Sequence, residues 1–217
     1  MELSAGKTME ISAGKLAHLA NGSCVVRMGD TCVLAAVCSG PARKGADFFP
    51  LQVDYREKFS AAGRFPGGFI KREGRPTDKE ILTMRMTDRP IRPLFPEGFF
   101  DEVQVYGLVL SYDGEHDADT LFMLGASAAL CLSDLPYQGP VGAVRVGYID
   151  GQFIANPTVE EMKKSEIELV YSGKEDQVIM IEGEAKECSE KLLADAMYFA
   201  NDIIKRQCAA QRELAEK

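Results

Sequence analysis

The residues of this sequence best suited to chemistry are cations. Ten lie between Arg56 and Arg92 (Arg56, Lys58, Arg64, Lys71, Arg72, Arg75, Lys79, Arg85, Arg89 and Arg92), against five carboxylates, Glu57, Glu73, Asp78, Glu80 and Asp88. That stretch is net +5 in a chain of net −8, so everything outside it sums to −13. A positive island on an acidic body suits one localised anionic ligand better than a general nucleic-acid coat. Other chemistries lack their residues. His18 and His116 are the only histidines and stand far apart, which disfavours a histidine-based metal or nucleophile site. The six cysteines (Cys24, Cys32, Cys38, Cys131, Cys188 and Cys208) form no CxxC pair and lie mostly in apolar runs. They read as reduced, buried thiols of an intracellular protein, not as zinc ligands or disulfides.

The island is positioned by its surroundings. Phe59 to Phe95 reads FSAAGRFPGGFIKREGRPTDKEILTMRMTDRPIRPLF. Gly63, Gly67 and Gly68 make a flexible loop that leads into Lys71, Arg72 and Arg75, and Thr77 with Glu80 has the spacing of a capping box, which starts a helix. Arg85, Arg89 and Arg92 follow at spacings of four and three and share one stripe if that helix runs on. Spacing alone is equally compatible with cations that merely solvate an exposed helix; the charge balance decides for a ligand. Gly6-Lys7-Thr8 resembles the end of a phosphate-binding P-loop, but the glycine that motif needs five residues earlier is absent.

At 217 residues, 46% apolar and 27% charged, the chain suits one soluble domain with a substantial core. It has no run of about 18 apolar residues and no signal-peptide pattern, so neither membrane nor secretion is expected. Strands are predicted at MEIS, SCVVRM and TCVLAAVC, the last two joined by a tight turn at Gly29-Asp30 that sets Val26 opposite Val33 and Cys24 opposite Ala35. Asp47 to Tyr55 reads as a strand that Pro50 marks as an edge or a bulge, and Val103, Val105, Leu108 and Leu110 as another. After the polar DGEHDAD turn, Asp117 or Asp119 is expected to cap a helix over Thr120 to Leu132, with Leu124, Ala128, Cys131 and Leu132 on one face. His116, Asp117 and Asp119 suit a cap and a solvated turn better than a metal site. A hairpin over Val141 to Ala155 turns at Asp150-Gly151, and Thr158 with Glu161 repeats the capping-box spacing. Strands Ile167 to Tyr171 and Val178 to Glu182 follow. A long amphipathic helix from about Ser189, with Leu192, Ala196, Phe199 and Ile203 at helical spacing, completes an α+β fold of mixed sheet and packed helices.

DFFPLQVDY, AAGRFPGGFIKREGRPTDKEIL, DRPIRPLFPEGF, GASAAL, GPVGAVRVGYIDGQF and NPT together resemble the first ribonuclease PH-like core domain of the polynucleotide phosphorylase family. The resemblance runs from about Met9 to the final helix and is most specific over Arg72 to Phe99. It implies a ribonuclease PH-like fold over 1–217 as one domain, with the family's second core domain, KH and S1 modules outside this sequence. It also implies a role in phosphorolytic 3′-to-5′ RNA degradation that releases nucleoside diphosphates. Partners so implied are single-stranded RNA, the second core domain, two further copies in a homotrimer and, by analogy, degradosome-type nucleases or helicases. A cytoplasmic location is expected, and an organellar form would read the same.

The resemblance assigns catalysis, with its Mg²⁺ and inorganic phosphate, to the second core domain. Here the helix start that would cradle phosphate reads Ala118-Asp119-Thr120-Leu121-Phe122-Met123, and an acid there repels an anion. Glu168 matches one metal carboxylate of active domains, but Met162 and Val170 stand where the other carboxylate and a Lys belong. No catalytic residue and no metal or cofactor site is therefore expected in this chain. What the resemblance keeps is a grip on RNA, through Phe69 as a base-stacking face, Lys71, Arg72 and Arg75 on phosphates, and Arg89 and Arg92, whose alternative is internal ion pairing with Asp88 or a sheet carboxylate. Ile70 and Lys71 replace an aromatic and an arginine of the usual family loop, which removes one stacking platform and one planar fork. A stand-alone phosphorolytic ribonuclease and a purely structural scaffold are the rival readings.

Overall fold

A computed structural model describes residues 1–4 and 6–217. Its strands divide into two sheets. The first contains β1 (Met9–Ala13), β2 (Gly22–Met28), β3 (Thr31–Gly40), β4 (Leu51–Arg56) and β5 (Glu102–Ser111), in the order β1-β2-β3-β5-β4. All its pairings are antiparallel except β4 with β5, which makes it a mixed sheet. The β2–β3 register pairs Val26 with Val33 and Cys24 with Ala35, as the Gly29-Asp30 turn requires. Pro50 leaves the predicted strand shorter than expected. Lacking an amide, it stands just before Leu51, where β4 begins as an edge strand.

The second sheet contains β6 (Gly142–Ile149), β7 (Gln152–Ala155), β8 (Ile167–Gly173) and β9 (Val178–Ala185), in the antiparallel order β7-β6-β8-β9. Asp150 and Gly151 both take positive φ, 49° and 78°, which the two-residue turn between β6 and β7 demands.

Four α-helices tie the sheets together. They are α1 (Asp78–Ile91), α2 (Asp119–Cys131), the single turn α3 (Val159–Met162) and α4 (Glu190–Ala215). Both predicted capping boxes are formed, Thr77 with Glu80 and Thr158 with Glu161, and the Ser189 hydroxyl caps α4. Helix α2 differs from its expectation. It is buried on every side from Asp119 to Leu130 because it lies between the sheets, against β2, β3, β5 and β6. A helix apolar all round needs no single stripe. Helix α2 approaches β2 so closely that a Cβ at Gly22 would lie 2.1 Å from the Ala129 carbonyl oxygen, and on β5 the Phe122 ring crosses Gly107 so tightly that a Cβ there would lie 2.3 Å from the ring.

Helix α4 packs on β6, β8 and β1 through Ala196, Ala200, Ile203, Ile204 and Cys208, with Leu192 and Phe199 half-buried beside them. Its polar core residues also bond. The Gln207 side chain accepts from the Ala143 amide (2.7 Å) and donates to the Ala143 carbonyl (2.8 Å), so a sheet residue is satisfied by a helix side chain. One hydrophobic cluster runs through both sheets, α2 and α4. Each fully buried Leu, Ile or Phe in it contributes about 1.5–3 kcal/mol. The cysteines are free thiols, but only Cys24 and Cys208 are buried and Cys38 is exposed, so the expectation of buried thiols holds in part.

Candidate nucleic-acid interface

The basic stretch forms a loop between β4 and α1. It runs from Lys58 to Pro76 with a single 3-10 turn at Phe59–Ala62 and no other regular structure. Loops this long in compact domains usually serve function. Gly63 and Gly68 take positive φ (66° and 78°), and Lys71 itself sits at 55°, a backbone state that only a turn imposes on a side-chain-bearing residue. Ala61 packs against the core, but three apolar side chains further along the loop stand in solvent. Phe69 is 102% exposed, Phe65 92% and Ile70 74%. Such faces are available for stacking on bases.

The cations divide into two groups. Lys71, Arg72 and Arg75 are exposed, and with Lys58, Arg64 and Arg85 they have no ion-pair partner among the described residues. Arg89 and Arg92 are engaged within the fold. Arg89 reaches Glu182 on β9 (2.5 Å). Arg92 grips Asp88 at 2.5 Å and 3.0 Å and donates to the Phe49 and Leu51 carbonyls (3.0 and 3.1 Å). The predicted stripe of Arg85, Arg89 and Arg92 therefore presents one free cation, and Arg92 joins the end of α1 to the start of β4. Its carboxylate partner, four residues back, is the natural one for a helix surface.

The neck of the loop is closed by carboxylates. Glu80, buried at 6% exposure, accepts from the Thr77 amide (2.6 Å) with one oxygen and from the Glu57 amide (2.8 Å) with the other. Glu73 accepts from the Phe59 amide at 3.1 Å. Below the neck, a cleft of about 340 Å³ opens between Asp54, Arg56, Tyr106, Lys58 and Arg75. Sequence spacing exposed only the capping half of Glu80's role.

A second polar centre lies inside the fold. The Arg145 guanidinium, projecting from β6, is 3.0 Å from Asp117, in direct contact with Asp119 and 3.3 Å from Glu168 on β8. Burial works against its charge, but Asp119, Asp117 and Glu168 outweigh it and raise its pKa. Lys79 of α1 extends the network to Asp117 (2.9 Å) and Glu57 (3.3 Å). Its pKa too is raised, burial opposing and the Asp117 and Glu57 charges prevailing. This corrects the predicted cap. The N-cap of α2 is Ala118, whose side chain bonds nothing; Arg145 holds Asp117 and one oxygen of Asp119, while the other Asp119 oxygen accepts the Thr120 amide at 2.6 Å from the first helical position. His116 joins a different group, its Nδ1 2.7 Å from Asp113. Arg145 was not foreseen, although a lone Arg inside the apolar run GAVRVGYI was a signal that something buried must pair with it.

The Arg145 network also tests the fit of a divalent ion. At the one carboxylate that the resemblance offers, Glu168, the nearest charge is the Arg145 guanidinium, and Met162 and Val170 supply no oxygen. The residues present do not fit a metal.

The 3′ exoribonuclease family, domain 1, matches residues 5–136, and the 3′ exoribonuclease family, domain 2, matches residues 139–203. The chain belongs to the 3′ exoribonuclease family. Among curated relatives, polyribonucleotide nucleotidyltransferase of Methylacidiphilum infernorum is 55% identical over 90% of this chain and 28% of its own length, and that of Chlorobaculum parvum 52% identical over 99% and 30%. The chain thus spans less than a third of the relatives it matches. Among solved structures it is similar to a chain of the Archaeoglobus fulgidus exosome with RNA bound to the active site, at 21% identity, TM-score 0.73, covering 95% of this chain and 87% of that one. Rice (Oryza sativa) Rrp46 is similar at 16% identity and TM-score 0.77, covering 95% and 93%. These exoribonuclease-family neighbours establish the ribonuclease PH-like fold.

Proposed function

We propose that this chain is a single ribonuclease PH-like unit that guides RNA and builds the trimer of a phosphorolytic 3′-to-5′ exoribonuclease. The observation that carries the reading is the loop itself: a fully exposed Phe69 beside Lys71, Arg72 and Arg75, whose charges no carboxylate among the described residues neutralises. Stacking of a base on an aromatic face contributes about 1–3 kcal/mol and tolerates any sequence. Cations along the same loop release counterions from the phosphates. The long relatives are named polyribonucleotide nucleotidyltransferase, which supports phosphorolysis as the reaction of the whole protein.

In this reading, phosphate and Mg²⁺ act in the second core domain, where phosphate is the attacking group and nucleoside diphosphates leave. The present chain contributes no catalytic residue and no metal site. Support comes from Arg145, which supplies Glu168 with a protein cation, and from Asp119, which puts a carboxylate at the helix start where an anion would be cradled. Arg89 and Arg92 serve as anchors of α1, and direct phosphate contact falls to Lys71, Arg72 and Arg75. The partners are single-stranded RNA, the second core domain, two further copies of the chain and, by analogy alone, degradosome components; the compartment is cytoplasmic. Among the described residues no helix is long and apolar enough to cross a membrane.

The test measures phosphate-dependent release of nucleoside diphosphates from poly(A) by this chain with Mg²⁺, beside a binding titration on the same RNA. Binding without release is expected. Release would overturn the assignment of an empty catalytic centre and favour a stand-alone phosphorolytic ribonuclease. Absence of binding would leave a scaffold.

A further inference from the structure

Glu80 is the only carboxylate among the described residues that holds both ends of the basic loop. Its Oε1 accepts from the Glu57 amide, just before the loop, at 2.8 Å, and its Oε2 accepts from the Thr77 amide, just after it, at 2.6 Å. Glu80 is 6% exposed, so little of it is open to water. Glu80 itself is fixed by α1, through its own amide to the Thr77 hydroxyl (3.2 Å). A rigid helix thus sets the separation of the two points from which a flexible, glycine-bearing loop departs.

We propose that Glu80 is a positioning residue for RNA capture, a clasp that holds the loop carrying Phe69, Lys71, Arg72 and Arg75 in a preorganised form. The inference rests on the proposed meeting of that loop with RNA. A loop free at one end must be ordered on binding, and that entropy is lost from affinity. Helix capping requires only the Thr77 bond; the Glu57 bond has no capping role, and its effect is to close the loop. Glu57 is in turn held by the Tyr55 hydroxyl (2.7 Å) and Lys79 (3.3 Å), so the clasp reaches the sheet and the Arg145 network.

Glu80→Gln separates clasp from bulk, because a carboxamide of the same shape accepts through one oxygen only and turns an N–H toward the other amide. Three variants are compared, Glu80→Gln, Thr77→Ala and the triple variant Lys71→Ala/Arg72→Ala/Arg75→Ala, by hydrogen exchange of residues 57–77 and by titration with oligo(A) at several salt concentrations. For Glu80→Gln, faster exchange across the loop neck is expected, with oligo(A) affinity about three- to tenfold weaker and an unchanged salt slope, since every cation remains. Thr77→Ala, which keeps the Glu57 bond, should loosen the helix start and leave affinity within about twofold. The triple variant should flatten the salt slope. Unchanged exchange and affinity in Glu80→Gln would overturn the clasp. Faster exchange with unchanged affinity would also overturn it if the triple variant weakens binding; if the triple variant binds as tightly as the parent, the RNA-loop reading itself fails. Should Glu80→Gln lose its circular dichroism signal, Glu80→Asp, one methylene short of the Glu57 amide, takes its place with the same expected outcomes.

Discussion

Arg145 lies 3.3 Å from Glu168, the cation on β6 and the carboxylate on β8; Asp117 shares the same guanidinium nitrogen and Asp119 takes the other. Sheet pairing brings the strands together at Arg145 and Val170, so Glu168 is a diagonal neighbour on the same face. The guanidinium closes a polar space that three carboxylates would otherwise share, and it joins the second sheet to the start of α2.

Removing that cation should therefore be costly. Arg145→Met strands Asp119, which is 2% exposed, and leaves Asp117 with Lys79 alone; breaking one side of a buried pair costs about 3–5 kcal/mol. Urea denaturation would register it as a lower midpoint. A midpoint equal to that of the parent would mean that the acids find water or shed their charge at little expense.

The exposed cations should behave in the opposite way. Lys71→Ala/Arg72→Ala/Arg75→Ala touches no internal bond, so stability should change by less than about 0.5 kcal/mol. RNA affinity should fall and the slope of log K against log salt should drop by roughly two, single strands giving about 0.7 per phosphate contact. By contrast, Arg92→Ala removes donors from the Phe49 and Leu51 carbonyls and should cost about 1–3 kcal/mol of stability while leaving the salt slope of RNA binding unaltered. Fluorescence anisotropy and chemical denaturation on the same two variants separate the roles.

Asp113 should make the fold acid-sensitive. Burial works against its ionisation, but hydrogen bonds from the His116 ring and amide, the Glu115 amide and the Thr31 hydroxyl outweigh it and hold its pKa well below the usual carboxylate range. A carboxyl depressed in the folded state stabilises fully above its unfolded pKa, about 4, and that stabilisation fades as pH falls from there toward the folded value. The stability difference between the parent and Asp113→Asn should thus shrink as pH falls below about 4. Denaturation curves at several pH values check it; a difference that stays constant to pH 3 would contradict the depressed pKa.

Gly107→Ala should test the seam between β5 and α2. The added Cβ would meet the Phe122 ring at 2.3 Å, and Phe122 cannot retreat because it is fully buried and stacked on Tyr55 with centroids 4.9 Å apart. Overpacking of this kind costs about 1–3 kcal/mol, readable as a lower Tm. An unchanged Tm would show slack in this part of the core.

Much was legible in the chain itself because its causes are local. Thr77 with Glu80, Thr158 with Glu161, Gly29-Asp30 and Asp150-Gly151 each set a cap or a turn through atoms a few residues apart, and the Gly29-Asp30 turn also set the pairing of Val26 with Val33. The island of positive charge was likewise a property of composition. What the tertiary structure alone decided involves partners far apart along the chain. Helix α2 is buried on all sides because two sheets enclose it, Asp117 and Asp119 face Arg145 instead of capping, Arg89 is held by Glu182, and Glu80 reaches back to Glu57. Hydrophobic period and turn chemistry are one-dimensional signals, whereas which cation meets which carboxylate depends on how sheets and helices stack, and that separates the paired arginines from the free Lys71, Arg72 and Arg75.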